Sequence, residues 1–233
     1  MSVDINTIAQ QISHDPKPLV LIDTCSLLDV VRVPIREENN ATQIILGALK
    51  LLDLALQNKV YLAITSIVRA ELESNLGEVR DEVLKLATRR EKQVQHYVLC
   101  SKLAGLALQG ADAFAIAALR DKLTDMVFGI LAKSFEIKGD DACSGRAMKR
   151  VITNQAPASK GKNEAKDCDI IEHYLELAGL LRQSGFSKAM CFVTANSNDY
   201  GKPGEMRSPL DAQLKAWNIE YVNNFQWTVG LVS

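Results

Sequence analysis

Four short apolar runs, separated by longer helical patterns, most constrain what this chain can fold into. The runs are LVLID at 19–23, VYLAIT at 60–65, AMCFVTA at 189–195 and IEYV at 219–222. Continuous apolar runs of about four to eight residues are typical of strands that are buried on both faces. Helical segments between such strands indicate crossover connections, which join parallel strands. We therefore predict an α/β fold with a mainly parallel sheet.

The remaining segments differ in how regular they are. Apolar residues recur at helical spacing in the segments 5–13, 41–57, 166–182 and 209–217. A further helix is expected at Ser66, because serine is a frequent N-cap residue. The proline-free stretch at about 78–137 is predicted to be a helical insertion, and the polar, basic stretch at about 138–164 is predicted to be a long loop. We expect residues 1–233 to form a single domain.

Composition excludes some classes of protein and leaves others open. The net charge is -1 and the sequence pI is about 6.3, so any surface that binds nucleic acid must be local. The five cysteines form no Cys-x-x-Cys pair, and no apolar run reaches the roughly 18 residues of a membrane span. The polar N-terminal segment lacks the apolar stretch of a secretion signal. These features predict a soluble, cytoplasmic protein with reduced thiols.

Four acidic residues lie just after a predicted strand or at the head of a helix. They are Asp23, Glu71, Asp167 and Asp199. Open parallel sheets bind ligands at the carboxyl ends of their strands, so acids from distant segments can meet there. A cluster of carboxylates without histidine or cysteine suits hard divalent cations such as Mg²⁺ or Mn²⁺. Asn196, three residues before the last acid, is an additional or alternative ligand.

Two of these acids have close rivals. Glu71 is preferred over Glu73 because apolar residues precede it by three and four positions, which places it on or beside the buried helix face. Asp167 is preferred over Asp169 because apolar residues follow it at i+3, i+4 and i+7. Each acid also has an ordinary interpretation, as a turn residue, a helix cap or a solvated surface charge.

Four segments carry a resemblance to a known family. They are LIDTCSLL at the first strand, SIVRAE at the start of a helix, KDCDIIEHYLEL in a later helix, and FVTANSNDY after the third strand. These segments resemble those of the PIN-domain nucleases, in particular the larger, free-standing type, over roughly 18–75 and 164–225. The resemblance implies a three-layer α/β/α arrangement. It also implies that Asp23, Glu71, Asp167 and Asp199 are catalytic metal-site acids, supported by the polar residues Thr24, Ser66, Thr194 and Asn196.

The resemblance further implies a reaction. PIN-like nucleases would hydrolyse a phosphodiester to a 5′ phosphate and a 3′ hydroxyl, with RNA preferred over DNA. Two cations about 4 Å apart would activate water and stabilise the leaving oxygen. We therefore expect a Mg²⁺- or Mn²⁺-dependent endonuclease that acts on single-stranded RNA. The alternative is a catalytically degenerate PIN-like module that binds RNA or a protein partner.

A basic stretch precedes one of the proposed metal-site acids and offers a surface for the substrate. Its positive residues are Arg146, Lys149, Arg150, Lys160, Lys162 and Lys166, and Glu164 alone opposes them. We interpret this stretch as a phosphate-binding flap, whose contacts add affinity without sequence preference. The alternative is a solvated loop without function. A homodimer formed through the middle helices and an antitoxin partner remain open, and no membrane partner is expected.

Overall fold

The computed structural model describes residues 2–36, 41–105, 113–160 and 164–233, which are built around a five-stranded parallel sheet. The strands are β1 (Leu19–Ile22), β2 (Tyr61–Thr65), β3 (Ser134–Ile137), β4 (Met190–Val193), β5 (Gly201–Lys202), β6 (Glu205–Met206) and β7 (Ile219–Val222). The short strands β5 and β6 form a separate antiparallel pair. All four predicted strands are therefore present.

The order of the strands fixes where a ligand site can form. In the central sheet the order is β3-β2-β1-β4-β7, and every neighbouring pair is parallel. Connections from β1 lead first towards β2 and β3, whereas β4 and β7 lie on its other side. The order of the strands thus reverses between β1 and β4, and such a switch point opens a crevice at the carboxyl ends of the two strands.

Helices cover both faces of the sheet, as predicted for a three-layer fold. They are α1 (Ile5–His14), α2 (Thr24–Arg32), α3 (Ala41–Leu56), α4 (Ser66–Leu103), α5 (Ala113–Lys133), α6 (Asp141–Thr153), α7 (Ala165–Gln183), α8 (Ser197–Tyr200), α9 (Leu210–Ala216) and α10 (Phe225–Val232). Helices α2 to α5 pack with one another and with α10, whereas α1 and α6 pack against α7. The α/β/α architecture expected from the sequence is confirmed.

The middle of the chain differs in one respect from the predicted helical insertion. Helix α4 runs without a break from the end of β2 and, at 1.5 Å per residue, is about 57 Å long. The segment then ends in a strand, because Ser134–Ile137 pairs with β2 at the edge of the sheet. This strand has four residues and only its last residue is fully buried. It therefore lacks the continuous apolar run by which β1, β2 and β4 are recognised in the sequence.

The prediction of a long loop at 138–164 is wrong for about half of that segment. Residues Asp141–Thr153 form α6, which begins where the side chain of Asp140 accepts hydrogen bonds from two backbone amides, at 2.9 and 3.0 Å. The buried face of α6 consists of Cys143, Ala147 and Arg150, spaced at helical intervals. An arginine in the third of these positions conceals the apolar periodicity that would indicate a helix.

The central strands and the helices on either side enclose the core. Strands β1 and β4 are buried along their whole length. Tyr174 of α7 crosses this layer and donates a hydrogen bond of 2.5 Å to the carbonyl of Ile22, at the end of β1. No helix in the described ranges combines the length and the apolar character needed to cross a membrane. All five cysteines are free thiols, and a cytoplasmic location stays a prediction.

Candidate active site

Asp23 lies at the switch point of the sheet. It directly follows β1, its backbone amide donates to the carbonyl of Val193 at 3.0 Å, and only 1% of it is exposed. The hydroxyl of Thr194 donates to its Oδ2 atom at 2.6 Å. Because these contacts come from β4, the carboxyl group is fixed between the two strands rather than left to act as a helix cap. Its side chain makes no capping hydrogen bond with α2.

The surroundings of Asp23 disfavour its charged form. Burial raises the pKa of the Asp23 carboxyl to about 6, although the hydrogen bond from Thr194 lowers it. The nearby Glu71 carboxylate contributes to this rise. A buried carboxyl with a second acid beside it is unusual in a structural role, because the negative charge is poorly compensated there.

Glu71 comes to the same place on the first turns of α4. The hydroxyl of Thr24 donates to its Oε2 atom at 2.8 Å, and the Nζ atom of Lys166 lies 3.3 Å from its Oε1 atom.

The prediction that Ser66 caps this helix is wrong by one position. Thr65 is the N-cap and accepts from the amide of Val68 at 3.2 Å, so Ser66 is the first helical residue.

Asp167 lies in the first turn of α7, and its carboxyl is perturbed more strongly than that of Asp23. Burial, together with the carboxylates of Asp23, Glu71, Asp199 and Glu164, raises the pKa of the Asp167 carboxyl to about 7. Three of these four acids come from distant parts of the chain. The hydroxyl of Tyr200 adds a contact, since it donates to the Asp167 carbonyl at 3.3 Å.

Asp199 is linked to Asp23 through a short series of hydrogen bonds. The Nδ2 atom of Asn196 donates to Oδ2 of Asp199 at 2.8 Å, and the amide of Asp199 donates back to Oδ1 of Asn196 at 3.3 Å. The amide of Asn196 donates in turn to the hydroxyl of Thr194 at 3.0 Å. Residues 197–200 form the short helix α8 and not a turn, and Asn196 is its N-cap.

The rival acid Asp169 lies in a different environment. It accepts a hydrogen bond of 2.6 Å from Ser144 and lies 3.0 Å from Nδ1 of His173. Burial raises the pKa of the Asp169 carboxyl, but the contacts with His173 and Ser144 outweigh this effect and leave the pKa below its usual value. Asp169 therefore joins α6 to α7 through Ser144 and His173.

Sequence reasoning missed two residues beside the acids. Glu164, which directly precedes α7 and is 6% exposed, is one of the carboxylates that raise the pKa of Asp167. Tyr200 is fully buried and contacts Asp167. In the sequence, Glu164 is interpreted only as a charge that opposes the basic stretch. Its position just before Lys166 and Asp167 is the signal that could identify it.

The basic residues predicted to bind substrate separate into two groups. Arg150 is 2% exposed, and its guanidinium donates to Glu172, to the Ala156 carbonyl and to Gln213 at 2.5 to 2.7 Å. The prediction that Arg150 contacts substrate is thus corrected, because its donors hold α6, α7 and α9 together. Arg146 likewise donates to Glu172 at 2.8 Å and to Glu176 at 2.6 Å.

The lysines of the stretch are placed differently from the arginines. Lys149 and Lys160 are exposed, and Lys162 lies outside the described residues. The side chain of Lys166 is 65% exposed while its ammonium contacts Glu71. Among the described members of the predicted flap, Lys166 is therefore the one whose contact ties it to the acid cluster.

The donor atoms of this acid cluster, made of Asp23, Glu71, Asp167 and Asp199, fit a hard divalent cation. Their carboxylate oxygens are the ligands that Mg²⁺ and Mn²⁺ prefer, and a cation would relieve the repulsion that raises two of their pKa values. As the side chains stand, no group of three or more His, Cys, Asp or Glu in the described ranges is arranged to hold a metal. Three of the acids instead accept hydrogen bonds from neighbouring side chains. Cation binding therefore has to replace some of these contacts.

Comparison with known proteins agrees with this architecture. A model of the PIN domain matches residues 20–200, a range that begins in β1 and ends at Tyr200. The match spans all four acids of the cluster. No curated protein and no solved structure gave a significant match to the chain. Since the family model covers well over half of the sequence, the chain belongs to the PIN-domain family.

Proposed function

We propose that the protein is a divalent-metal-dependent endoribonuclease that hydrolyses phosphodiester bonds in single-stranded RNA. PIN domains are typically nucleases that use divalent metals and bind nucleic acid. The observation that carries the proposal is the convergence of acids at the end of β1 and in α4, α7 and α8, where burial and mutual repulsion raise the pKa values of Asp23 and Asp167. Such a cluster is costly to keep charged without a cation.

In this proposal each group of the site has its own task. Asp23, Glu71, Asp167 and Asp199 hold the cation, and Thr24, Thr194 and Asn196 orient three of these carboxylates through their hydrogen bonds. Bound Mg²⁺ or Mn²⁺ would neutralise the phosphate charge and activate the attacking water. The water oxygen bonds to phosphorus, the bond from phosphorus to the 3′ oxygen breaks, and the leaving oxygen takes a proton.

The substrate is proposed to reach the acids past Lys166. Its ammonium contacts Glu71 at 3.3 Å, while most of its side chain is exposed to solvent. When a cation binds to the acid cluster, the ammonium is free to pair with a phosphate oxygen of the incoming strand. A lysine contact of this kind adds affinity but carries no information about sequence.

A cleavage assay tests the proposal directly. Labelled single-stranded RNA, single-stranded DNA and duplex RNA of one sequence are incubated with the protein in Mn²⁺, in Mg²⁺ and in EDTA. We expect internal cuts in single-stranded RNA that need metal and leave 5′ phosphates. Asp23→Asn should abolish cutting, whereas Asp53→Asn, which changes an exposed acid of α3, should leave it intact. Cutting by Asp23→Asn, or in EDTA, would contradict the proposal.

One observation favours the binding module as a second candidate. Lys166 pairs with Glu71 where the first candidate needs a metal ion, and an ammonium held there would offset one of the negative charges of the cluster without a metal. A module of this kind binds RNA equally well with and without Mn²⁺ and does not cut it. Binding without cleavage in every metal tested would favour this candidate.

A further inference from the structure

A second concave surface lies beside the acid cluster, and its lining is rich in primary amides. Among the described residues, Gln43, Ser197, Asn223, Asn224, Gln226 and Trp227 contribute to it, and its volume is about 620 Å³. We call this surface the amide pocket. Pockets of about 300 to 1,000 Å³ are the usual size for small organic ligands and parts of larger ones.

The fold builds the amide pocket through a close contact between two helices. A Cβ atom on Gly47 of α3 would lie 2.4 Å from the backbone nitrogen of Gln226, so only glycine allows this approach. Gln43 lies one turn before Gly47 on the same face of α3, and it therefore points towards the start of α10. On the other side, Asn224 caps α10 by accepting from the amide of Trp227 at 2.8 Å.

A buried hydroxyl extends the pocket inwards. Ser26 is 3% exposed, and its Oγ atom has no hydrogen-bond partner among the described residues. It lines a small cavity of about 30 Å³, and Ala195, Asn223 and Asn224 line this cavity as well as the amide pocket. A buried polar group without a partner costs about 1–3 kcal/mol. Its presence here points to a polar ligand atom that completes the hydrogen bond.

In three elements, residues at the amide pocket or its inner cavity follow or precede residues of the acid site within a few positions. Ser26 follows Asp23 by three residues in α2, and Ala195 directly follows Thr194. Ser197 lies in α8 with Asp199. We infer from these short separations along the chain that the nucleotide next to a phosphate held at the acids reaches the pocket.

The chemistry of the lining fits a nucleobase, and adenine in particular. A primary amide offers one donor and one acceptor, which match the paired acceptor and donor on an adenine edge, whereas guanine favours two donors such as those of arginine. Arg36 and Asp29 also line the pocket, and their charged groups are paired with each other. Trp227 is 50% exposed, and an exposed indole provides a surface on which a single-stranded base can stack.

We propose that the amide pocket binds the base of the nucleotide beside the scissile phosphate, and prefers adenine over guanine. Trp227 stacks on this base, Gln226 and Gln43 bind its polar edge, and Ser26 pairs with a polar atom at the inner end. This inference rests on the proposed nuclease function, because it assigns the pocket to the same RNA strand. It also gives the enzyme a preference for the sequence at its cutting site.

Fluorescence of Trp227 tests the proposal without any cleavage. The variant Trp217→Phe leaves Trp227 as the only tryptophan, and EDTA removes divalent metals. We expect AMP to reach half-maximal quenching at a concentration at least about 5-fold lower than the concentration of GMP that is needed. One bidentate amide contact provides discrimination of this size. In this background Gln226→Ala should abolish the difference. Gln95→Ala, a matched change on the exposed face of α4, should keep it.

A second variant separates ligand binding from folding. Ser26→Ala removes a hydroxyl that has no partner in the described structure, so the free protein should unfold at the same temperature or higher. The same variant should bind AMP several-fold more weakly. A parallel loss of stability and binding would show a purely structural serine and remove Ser26 from the proposal.

Other outcomes would overturn the pocket assignment as a whole. Equal quenching by AMP and GMP, quenching by inorganic phosphate alone, or no quenching would each contradict a base-binding pocket. These results can be told apart from failure of the proposed function. Metal-dependent cleavage without base preference would leave the nuclease proposal standing, whereas selective AMP binding without cleavage would leave only the pocket.

Discussion

The hydroxyl of Thr194, at the end of β4, donates a 2.6 Å hydrogen bond to Oδ2 of Asp23, at the end of β1. The bond joins the two strands at the point where the strand order of the sheet reverses. It also lowers the pKa of a carboxyl whose burial raises that pKa to about 6. The position of the site and the charge of its most buried acid therefore depend on the same contact.

The first prediction concerns this hydrogen bond. Thr194→Val removes the donor but keeps the shape of the side chain, so the pKa of Asp23 should rise. We expect the cleavage rate at pH 7 to fall about 10-fold, as the loss of one buried hydrogen bond of about 1–3 kcal/mol implies. The rate should recover more at pH 8 in this variant than in the wild type. Thr194→Ser, which keeps the hydroxyl, should restore activity, and an equal defect in both variants would count against the prediction.

The second prediction is that the metal-free protein becomes less stable as the pH rises. Asp23 and Asp167 have folded pKa values of about 6 and about 7, against an ordinary value of 3.8. Between about pH 4 and pH 7 the folded state therefore binds more protons than the unfolded state, and the free energy of unfolding falls as pH rises. This contribution is complete below pH 3.8 and is lost above the folded pKa values.

Urea unfolding in EDTA at pH 5, 6, 7 and 8 measures this dependence. Asp167→Asn should flatten the curve and raise the free energy of unfolding at pH 8 by about 1–3 kcal/mol, since one pKa unit corresponds to about 1.4 kcal/mol. Saturating Mn²⁺ should produce a similar gain in the wild type. A wild-type free energy of unfolding that increases from pH 5 to pH 8 would refute the prediction.

The third prediction separates two neighbouring acids. Asp167→Asn should abolish cleavage without destabilising the metal-free protein, because it removes a repelled carboxylate. Asp169→Asn should keep most of the activity but lower the thermal unfolding temperature, because it weakens contacts with Ser144 and His173. Melting curves and initial rates on the two variants provide the comparison. The reverse pattern would show that Asp169, and not Asp167, belongs to the acid cluster.

The fourth prediction distinguishes a substrate-binding lysine from a structural arginine. Lys166→Ala should weaken RNA binding and reduce the slope of log affinity against log salt by about 1, as the loss of one phosphate contact requires. Lys160→Ala combined with Lys162→Ala should act in the same direction.

Arg150→Ala is the contrasting variant, and it should lower the free energy of unfolding rather than the affinity for RNA. It leaves Glu172 with Arg146 as its remaining cationic partner and removes the contacts with Ala156 and Gln213, so the free energy of unfolding should fall by about 1–3 kcal/mol. Salt titrations of RNA binding and urea unfolding of each variant separate the two effects. An Arg150→Ala protein that folds normally but binds RNA weakly would reinstate Arg150 as a substrate contact.

Much of the fold could be predicted because its central strands are buried on both faces. Continuous apolar runs identified β1, β2 and β4, whereas the half-buried edge strand β3 has no such run. Helix α6 was missed because its buried face includes Arg150, whose partner Glu172 lies 22 residues away. Only the folded packing of α6 on α7 shows that this arginine is internal.

Local spacing in the sequence was enough to choose between neighbouring acids. It was not enough to identify surfaces that form between distant elements. The apolar residues at i+3, i+4 and i+7 favoured Asp167 over Asp169, and the structure places Asp167 among the other acids and Asp169 against His173. In contrast, the amide pocket joins α3, α8 and α10, and no sequence pattern indicates this junction. Trp227 lies at this junction, and half of it is exposed.

Calorimetric titration of Mn²⁺ into the wild type and Asp23→Asn tests the central claim most directly. The claim is that the acid cluster is a site for a divalent cation. At pH 6.5 we expect one saturable binding process in the wild type, with protons released as the carboxyls of Asp23 and Asp167 give up their protons. Two buffers of different ionisation enthalpy would measure that release. Asp23→Asn should weaken binding at least about 10-fold, and equal binding by both proteins, or none by the wild type, would contradict the account.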